Sequence, residues 1–191
     1  MSTASPPKRM TIEEFLALPE DDSVDRMLIR GELIELPMTR RNKRHSKSIS
    51  RICHLLESWL ESRPEPRGEV FGGEAGVNFD EIGSSFGVDV VYFDAATLAQ
   101  QADDETYLTG VPTLVVEILS PSDSHQYVEA KVKDYLAAGV TLIWVVDPAF
   151  RSVTIFEPNT PPRMVSGNGE VSCEPQLPGF AVPVSKFFAR S

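Results

Sequence analysis

Cysteine is scarce. Cys53 and Cys173 are the two in 191 residues, far apart and outside any Cys-x-x-Cys spacing, which argues against a disulfide framework or a structural zinc site. Long apolar runs are missing as well. The longest, Pro112 to Leu119, is interrupted by Glu117 and is too short to cross a bilayer. The first nine residues are polar and carry no signal-like stretch. These absences predict a soluble, cytoplasmic protein with no membrane partner. A chain of 21.1 kDa suits one domain, expected over residues 10–191 after a disordered start at 1–9. Basic charge is in short supply too. Lys and Arg number 18 against 28 Asp and Glu, a net charge of −10, which on its face disfavours a nucleic-acid partner.

The charge is unevenly spread. Residues 40–67 hold eight basic side chains against three acidic ones, a net +5, and the remainder carries −15. From Gly68 to Ala130 there is no Lys or Arg at all. The basic segment reads either as a phosphate-facing surface or as a solvated helix face, and the two readings stand level.

Apolar spacing outlines the elements. Thr11-x-x-Glu14 is a capping box for a short helix reaching about Leu18. Met27–Ile29 and Glu32–Leu36 flank Arg30-Gly31 as a hairpin. Ile49, Ile52, Leu56, Trp59 and Leu60 recur at helical spacing within Asn42–Glu61. Strands are expected at Glu69–Phe71, Ala75–Phe79, Val88–Phe93, Thr113–Leu119, Thr141–Val146 and Val153–Phe156. Met164-Val165 and Val171 are weaker strand candidates. Helices are expected at Leu98–Gln101 and Asp123–Ala138, the latter stopped by Gly139. This order predicts an α/β fold with a mixed sheet flanked by helices.

Two acids stand out. Asp89 lies in Val88-Asp-Val-Val-Tyr-Phe93 and Glu117 in Leu114-Val-Val-Glu-Ile-Leu119, runs with the apolar character of strands buried on both faces. An unpaired carboxylate there costs several kcal/mol, and the stretch supplies no local cation. A shared divalent metal would neutralise both, and Mg²⁺ suits hard oxygen ligands. The alternative is an acid at a strand's exposed end, paired with a distant arginine. On the helix that follows, Lys131 falls about 85° from the centre of the apolar face and Lys133 about 115°. Lys131 is the better placed to reach over the sheet, although a surface role suits either lysine.

Thr11-Ile-Glu-Glu-Phe-Leu-Ala-Leu-Pro19, Gly31-Glu-Leu-Ile-Glu35, Val88-Asp-Val90, Val115-Val-Glu-Ile-Leu-Ser-Pro-Ser122, Lys131-x-x-x-Tyr135-x-x-x-Gly139-Val140, Trp144-Val-Val-Asp147 and Leu177-Pro-Gly-Phe180 together resemble the Uma2 family of restriction-endonuclease-like proteins with the PD-(D/E)XK nuclease fold. The resemblance implies a Mg²⁺ (or Mn²⁺) dependent endonuclease acting on DNA. Its metal ligands would be Asp89, Glu117 and the carbonyl of Ile118, and its catalytic set Asp89, Glu117 and Lys131. Arg40, Arg41, Lys43, Arg44, His45 and Lys47 would meet the nucleic acid, with His45 otherwise an idle helix-surface residue. A homodimer is the partner with which so small a nuclease fold would cut two strands.

The chain departs from the family pattern in three places. Val88 replaces a proline, Leu119 replaces the lysine two after the glutamate, and Arg26-Met-Leu-Ile-Arg30 replaces Tyr-Glu-Leu-Ile-Asp. The lysine role then passes to Lys131, and Glu32 is left as an outer acidic candidate. The displaced lysine, the missing N-terminal acid and the net charge of −10 support a second reading, an inactive nuclease fold serving as a binding or interaction module. A metal-dependent hydrolase with a substrate other than nucleic acid is a third.

Overall fold

The computed structural model describes residues 9–38, 42–102, 106–121 and 125–188. The expected disordered start lies outside these residues except for Arg9, whose side chain packs beside Gly31. Thr11 caps the first helix, α1 (Ile12–Leu16), in a reciprocal capping box with Glu14. Strands β1 (Val24–Ile29) and β2 (Glu32–Pro37) form the expected hairpin. Its two turn residues, Arg30 and Gly31, both have positive φ, 49° and 79°, as the twist of a tight hairpin requires.

Helix α2 (Lys43–Glu61) starts at Asn42, whose side chain accepts from the Arg44 and His45 N–H groups. It leads into the long pair β3 (Glu69–Phe79) and β4 (Ser84–Phe93). Then come α3 (Ala95–Leu98), β5 (Leu108–Thr109), β6 (Leu114–Ile118), α4 (His125–Ala137), β7 (Leu142–Asp147), β8 (Ser152–Phe156) and β9 (Arg163–Ser166). A small second sheet pairs β10 (Glu170–Ser172) with β11 (Ala181–Pro183).

The main sheet runs β2-β1-β4-β6-β7-β8-β9, with β3 on β4 and β5 on β3. β6 and β7 are parallel and joined through α4, while β4 pairs antiparallel with β6. This is the mixed sheet expected from the sequence. Helix α2 and the C-terminal segment cover one face: Ile52, Leu56 and Leu60 meet Val90, Val116, Trp144, Phe180 and Phe187. Helix α4 covers the other, where Val132 and Tyr135 meet Phe86, Val91, Val115 and Ile143. Trp144 is a core aromatic, and Trp59 packs half-buried against the same cluster. Trp144 lies 5.6 Å from the rings of both Phe180 and Phe187.

Some elements differ from their sequence outlines. The two short strands expected before Phe79 are one strand, β3, irregular between Gly72 and Ala75. Strand β4 begins at Ser84 rather than Val88. Its polar start is buried and satisfied, since the Ser85 hydroxyl donates to Asn78 Oδ1 at 2.7 Å. The helix expected at Leu98–Gln101 sits earlier because Asp94 caps it, accepting from the Thr97 N–H at 2.9 Å and the Thr113 hydroxyl at 3.0 Å. The start of α4 expected at Asp123 lies outside the described residues. His125 is the first residue of α4 as described, inside the expected helix.

Asp94 gives a stability prediction. Burial works to raise its carboxyl pKa, but the bonds from Thr97 and Thr113 outweigh this and hold it below the usual range. A carboxyl lowered in the folded state adds stability above its unfolded pKa and loses it as pH falls through the folded one. Asp94→Ala is expected to cost about 1 kcal/mol at pH 7. The gap from the native chain should narrow in acid, as read by urea unfolding at both pH values.

Candidate active site

The site begins with an irregularity in β4. Phe86 and Val88 face the α4 layer, Val90 and Tyr92 face the α2 layer, and Val91 and Phe93 face α4 again. Regular alternation would put residues two apart on one face, so it slips around Asp89, opposite the irregularity in β3. Bulges of this kind re-aim side chains. The ladder between β4 and β6 ends at Val90↔Val116, and one step further the register sets Asp89 against Glu117. Asp89 completes the join with its side chain, Oδ2 accepting the Ile118 N–H at 2.7 Å.

Asp89 is 4% exposed. Its Oδ1 is buried and has no hydrogen-bond partner among the described residues. From the α2 side, His45 Nε2 approaches Asp89 Oδ2 to 3.3 Å. From the α4 side, Lys131 and Tyr135, one helical turn apart, converge on Glu117. Lys131 Nζ stands 2.6 Å from Glu117 Oε1, and the Tyr135 hydroxyl donates to the same oxygen at 2.5 Å. Lys131 also donates to the Gly87 carbonyl at 3.2 Å. The rings of Phe86, Tyr127 and Tyr135 surround its ammonium at 5.8, 5.7 and 5.9 Å. Lys133 points to solvent and pairs with Glu129, so of the two helix lysines Lys131 reaches the carboxylate.

Burial pushes the Glu117 carboxyl above the usual range, further than the Lys131 ammonium draws it down, and the charge of Asp89 adds to the rise. Burial alone would lower Lys131, yet Glu117, with Tyr127 and Asp89, holds it above the ordinary lysine value. Burial first, and then the charge of Glu117, push the Tyr135 phenol well up. Lys131 and Tyr135 are therefore proton donors to Glu117 at neutral pH.

The family model described as "Uma2: Putative restriction endonuclease" matches residues 12–185. The chain belongs to the Uma2 family. Among solved structures, this Uma2 chain is similar to a protein from Anabaena variabilis ATCC 29413 described as a putative nuclease belonging to DUF820. The two share 21% identity over 93% of this chain and 97% of that one, with a TM-score of 0.78. At that identity the likeness speaks for the fold. Among curated proteins, none matches the chain.

The other residues singled out from the Uma2 sequence are placed as follows. Lys43, Arg44 and Lys47 are exposed on the first turns of α2. Arg40 and Arg41 lie outside the described residues. His45 differs from the surface position expected of it: it is 1% exposed and turned inward to Asp89. A signal for this was present, since His45 precedes Ile49 by four and Ile52 by seven, which puts it on the buried stripe. Ile118 is buried, with its N–H on Asp89. Glu32 is exposed on edge strand β2.

Arg30, which replaces the family's aspartate, bonds through Nε to Asp134 Oδ1 at 2.7 Å. Asp134 is a buried acid on α4 that the sequence reading missed, and its partner lies 104 residues away. This pair ties the β1–β2 turn to the helix bearing Lys131.

The donor set suits a hard divalent cation. It offers carboxylate oxygens, one of them buried and without a hydrogen-bond partner among the described residues, a costly state for a polar atom that a cation would relieve. Among the described residues, no three His, Cys, Asp or Glu side chains stand close enough to enclose a metal unaided. Backbone carbonyls and waters would complete the shell, as Mg²⁺ sites commonly require. No helix among the described residues is long and apolar enough to cross a membrane.

Proposed function

We propose that this Uma2 chain is a divalent-metal-dependent endonuclease that hydrolyses phosphodiester bonds of DNA. The observation that carries this reading is the meeting of Asp89 and Glu117 where β4 and β6 part, with Lys131 on Glu117 and Asp89 Oδ1 buried and unpartnered among the described residues. Asp89 and Glu117, with the carbonyl of Ile118, would hold Mg²⁺ or Mn²⁺. A bound cation would supply Lewis-acid polarisation of the phosphate and a more acidic water.

The chain's own residues do the rest. Lys131, kept protonated by Glu117, donates hydrogen bonds and offsets negative charge on the phosphate; it is not a base. Tyr135 holds the Glu117 carboxylate in one orientation. The β4–β6 backbone fixes Asp89 through the Ile118 N–H.

Lys43, Arg44 and Lys47 project from the turns of α2 that also carry His45 to Asp89. A bound DNA backbone would therefore be gripped beside the site, aided by the positive end of the helix dipole. Lys43→Glu/Lys47→Glu is expected to weaken DNA binding several-fold and to reduce the salt slope of log K by about 2. Fluorescence anisotropy across a salt series reads both. An unchanged slope would remove these residues from the interface.

The direct test is supercoiled plasmid with purified protein and Mg²⁺ or Mn²⁺. Nicking or linearisation that EDTA stops is the expected result, and cleavage that survives Asp89→Ala or Glu117→Ala would defeat the assignment. One observation favours a second reading, an inactive nuclease fold acting as a binding module. The Lys131 ammonium stands 2.6 Å from Glu117 and offsets its charge. Calorimetric titration showing no Mg²⁺ uptake, with DNA binding retained, would support that reading.

A further inference from the structure

We propose that Phe150 is a base-stacking contact for the substrate, so that the DNA this site takes carries unpaired bases close to the scissile phosphate. The proposal rests on the nuclease reading above and narrows its substrate. Phe150 stands in the turn between β7 and β8 and, at 83%, is the most exposed large apolar side chain among the described residues. A single exposed apolar residue is ordinary on a protein surface. What sets Phe150 apart is where it stands and how firmly it is held.

Strands β6 and β7 are parallel, with Glu117 opposite Val145 and Ile118 opposite Val146. The turn after β7 therefore leaves the sheet at the same end as the acids. Neighbouring strands lie about 4.8 Å apart and rise about 3.3 Å per residue, which sets the tip of that turn roughly 10–15 Å from Glu117. A nucleic-acid strand advances at least about 3.4 Å per nucleotide, so Phe150 would meet a base within about four nucleotides of a phosphate at the acids.

The turn holds its shape before any substrate arrives. Asp147 Oδ1 accepts from the Ala149 and Phe150 N–H groups, at 2.8 and 3.0 Å, and Pro148 fixes the backbone between. Arg151 follows, its guanidinium over the Phe188 ring at 5.4 Å from the centroid. Phe188 belongs to the core cluster that α2 covers, so Arg151 is turned to the side of the sheet that carries Lys43 and Lys47. A fixed ring loses little freedom on binding. Beside a cation it forms the pairing that grips single strands, the charge meeting the backbone and the ring the face of any base. In a duplex those faces are stacked on one another, so the contact selects a single strand, a loop or a melted stretch.

The test titrates the full chain into a single-stranded oligonucleotide carrying 2-aminopurine at spaced positions, and into the same sequence as a duplex. Ca²⁺ replaces Mg²⁺, so that cleavage is not the readout. The native chain should favour the single strand and quench its fluorescence. Phe150→Ala should bind that strand about tenfold or more weakly and lose the quenching. It should keep the native salt slope, since no charge is removed. Phe150→Trp should restore affinity and quenching, and circular dichroism checks that both variants are folded. A folded Phe150→Ala that binds like the native chain overturns the inference and leaves the nuclease reading intact. So does a native chain that prefers the duplex or binds without quenching. A native dimer that Phe150→Ala dissociates, read by sedimentation, would give the ring to a protein contact and overturn the inference equally. A native chain that binds neither oligonucleotide overturns both.

Discussion

Glu117→Gln is expected to destabilise the metal-free protein by about 3–5 kcal/mol, the usual cost of removing one member of a buried ion pair. The Lys131 and Glu117 side chains are only 6% and 13% exposed, so solvent does little to screen what remains. Glutamine can still accept from Tyr135, so the shape is kept and the charge alone is lost. Lys131 is then a buried ammonium with three aromatic rings and one carbonyl for company. Rings and a carbonyl replace hydration only in part. Glu117→Gln/Lys131→Met should recover most of the loss, because a neutral, apolar pair has no charge to desolvate. Guanidinium unfolding in EDTA reads both variants. A single variant within about 1 kcal/mol of native, or a double variant no better than the single, would mean that the pair is not energetically coupled.

On the proposed metal-dependent reading, Asp89→Asn is expected to lower cleavage by roughly 10³-fold while leaving the fold within about 1 kcal/mol of native. The argument turns on the separate duties of the two Asp89 oxygens. One accepts the Ile118 N–H at 2.7 Å, a bond that an asparagine carbonyl can keep. The other is buried and unpartnered among the described residues, and there the substitution replaces an anionic oxygen with an amide. Stability follows the first duty and cation binding the second. Calorimetric Mg²⁺ titration should therefore fall with the rate, while the unfolding midpoint holds. A parallel loss of stability and rate would make Asp89 a structural residue.

Much of this fold was legible in the sequence because burial leaves a plain trace. Leu114–Ile118 and Leu142–Asp147 read as interior strands since their residues are apolar on both faces. Asp89 and Glu117 stood out because acids are foreign to such runs, and Lys131 was preferred over Lys133 by its angle on the helix. What escaped reading depends on partners distant in sequence. Nothing near Ser84 or Ser85 says that these hydroxyls are buried, since their partners are Asn78, Asp134 and the Arg30 N–H. Asp134 looks like solvent-facing helix decoration until Arg30 arrives from the first hairpin. His45 was misplaced for another reason: its basic neighbours suggested a surface, although its spacing to Ile49 and Ile52 pointed inward. The slip in β4 could not be foreseen, because strand alternation is broken by the partner strand β3.

The joining of Asp89 to the Ile118 N–H, with Lys131 and Tyr135 closing over Glu117, also sets a timetable. The parts come from α2, β4, β6 and α4, so no early stretch of the growing polypeptide contains the whole centre. A ribosome adding about 5–20 residues per second exposes α2 and β4 several seconds before α4 follows. During that interval Glu117 has neither its ammonium nor its phenol, and contacts this far apart in sequence form slowly. A nascent chain would thus lack the assembled centre until its central sheet is nearly complete.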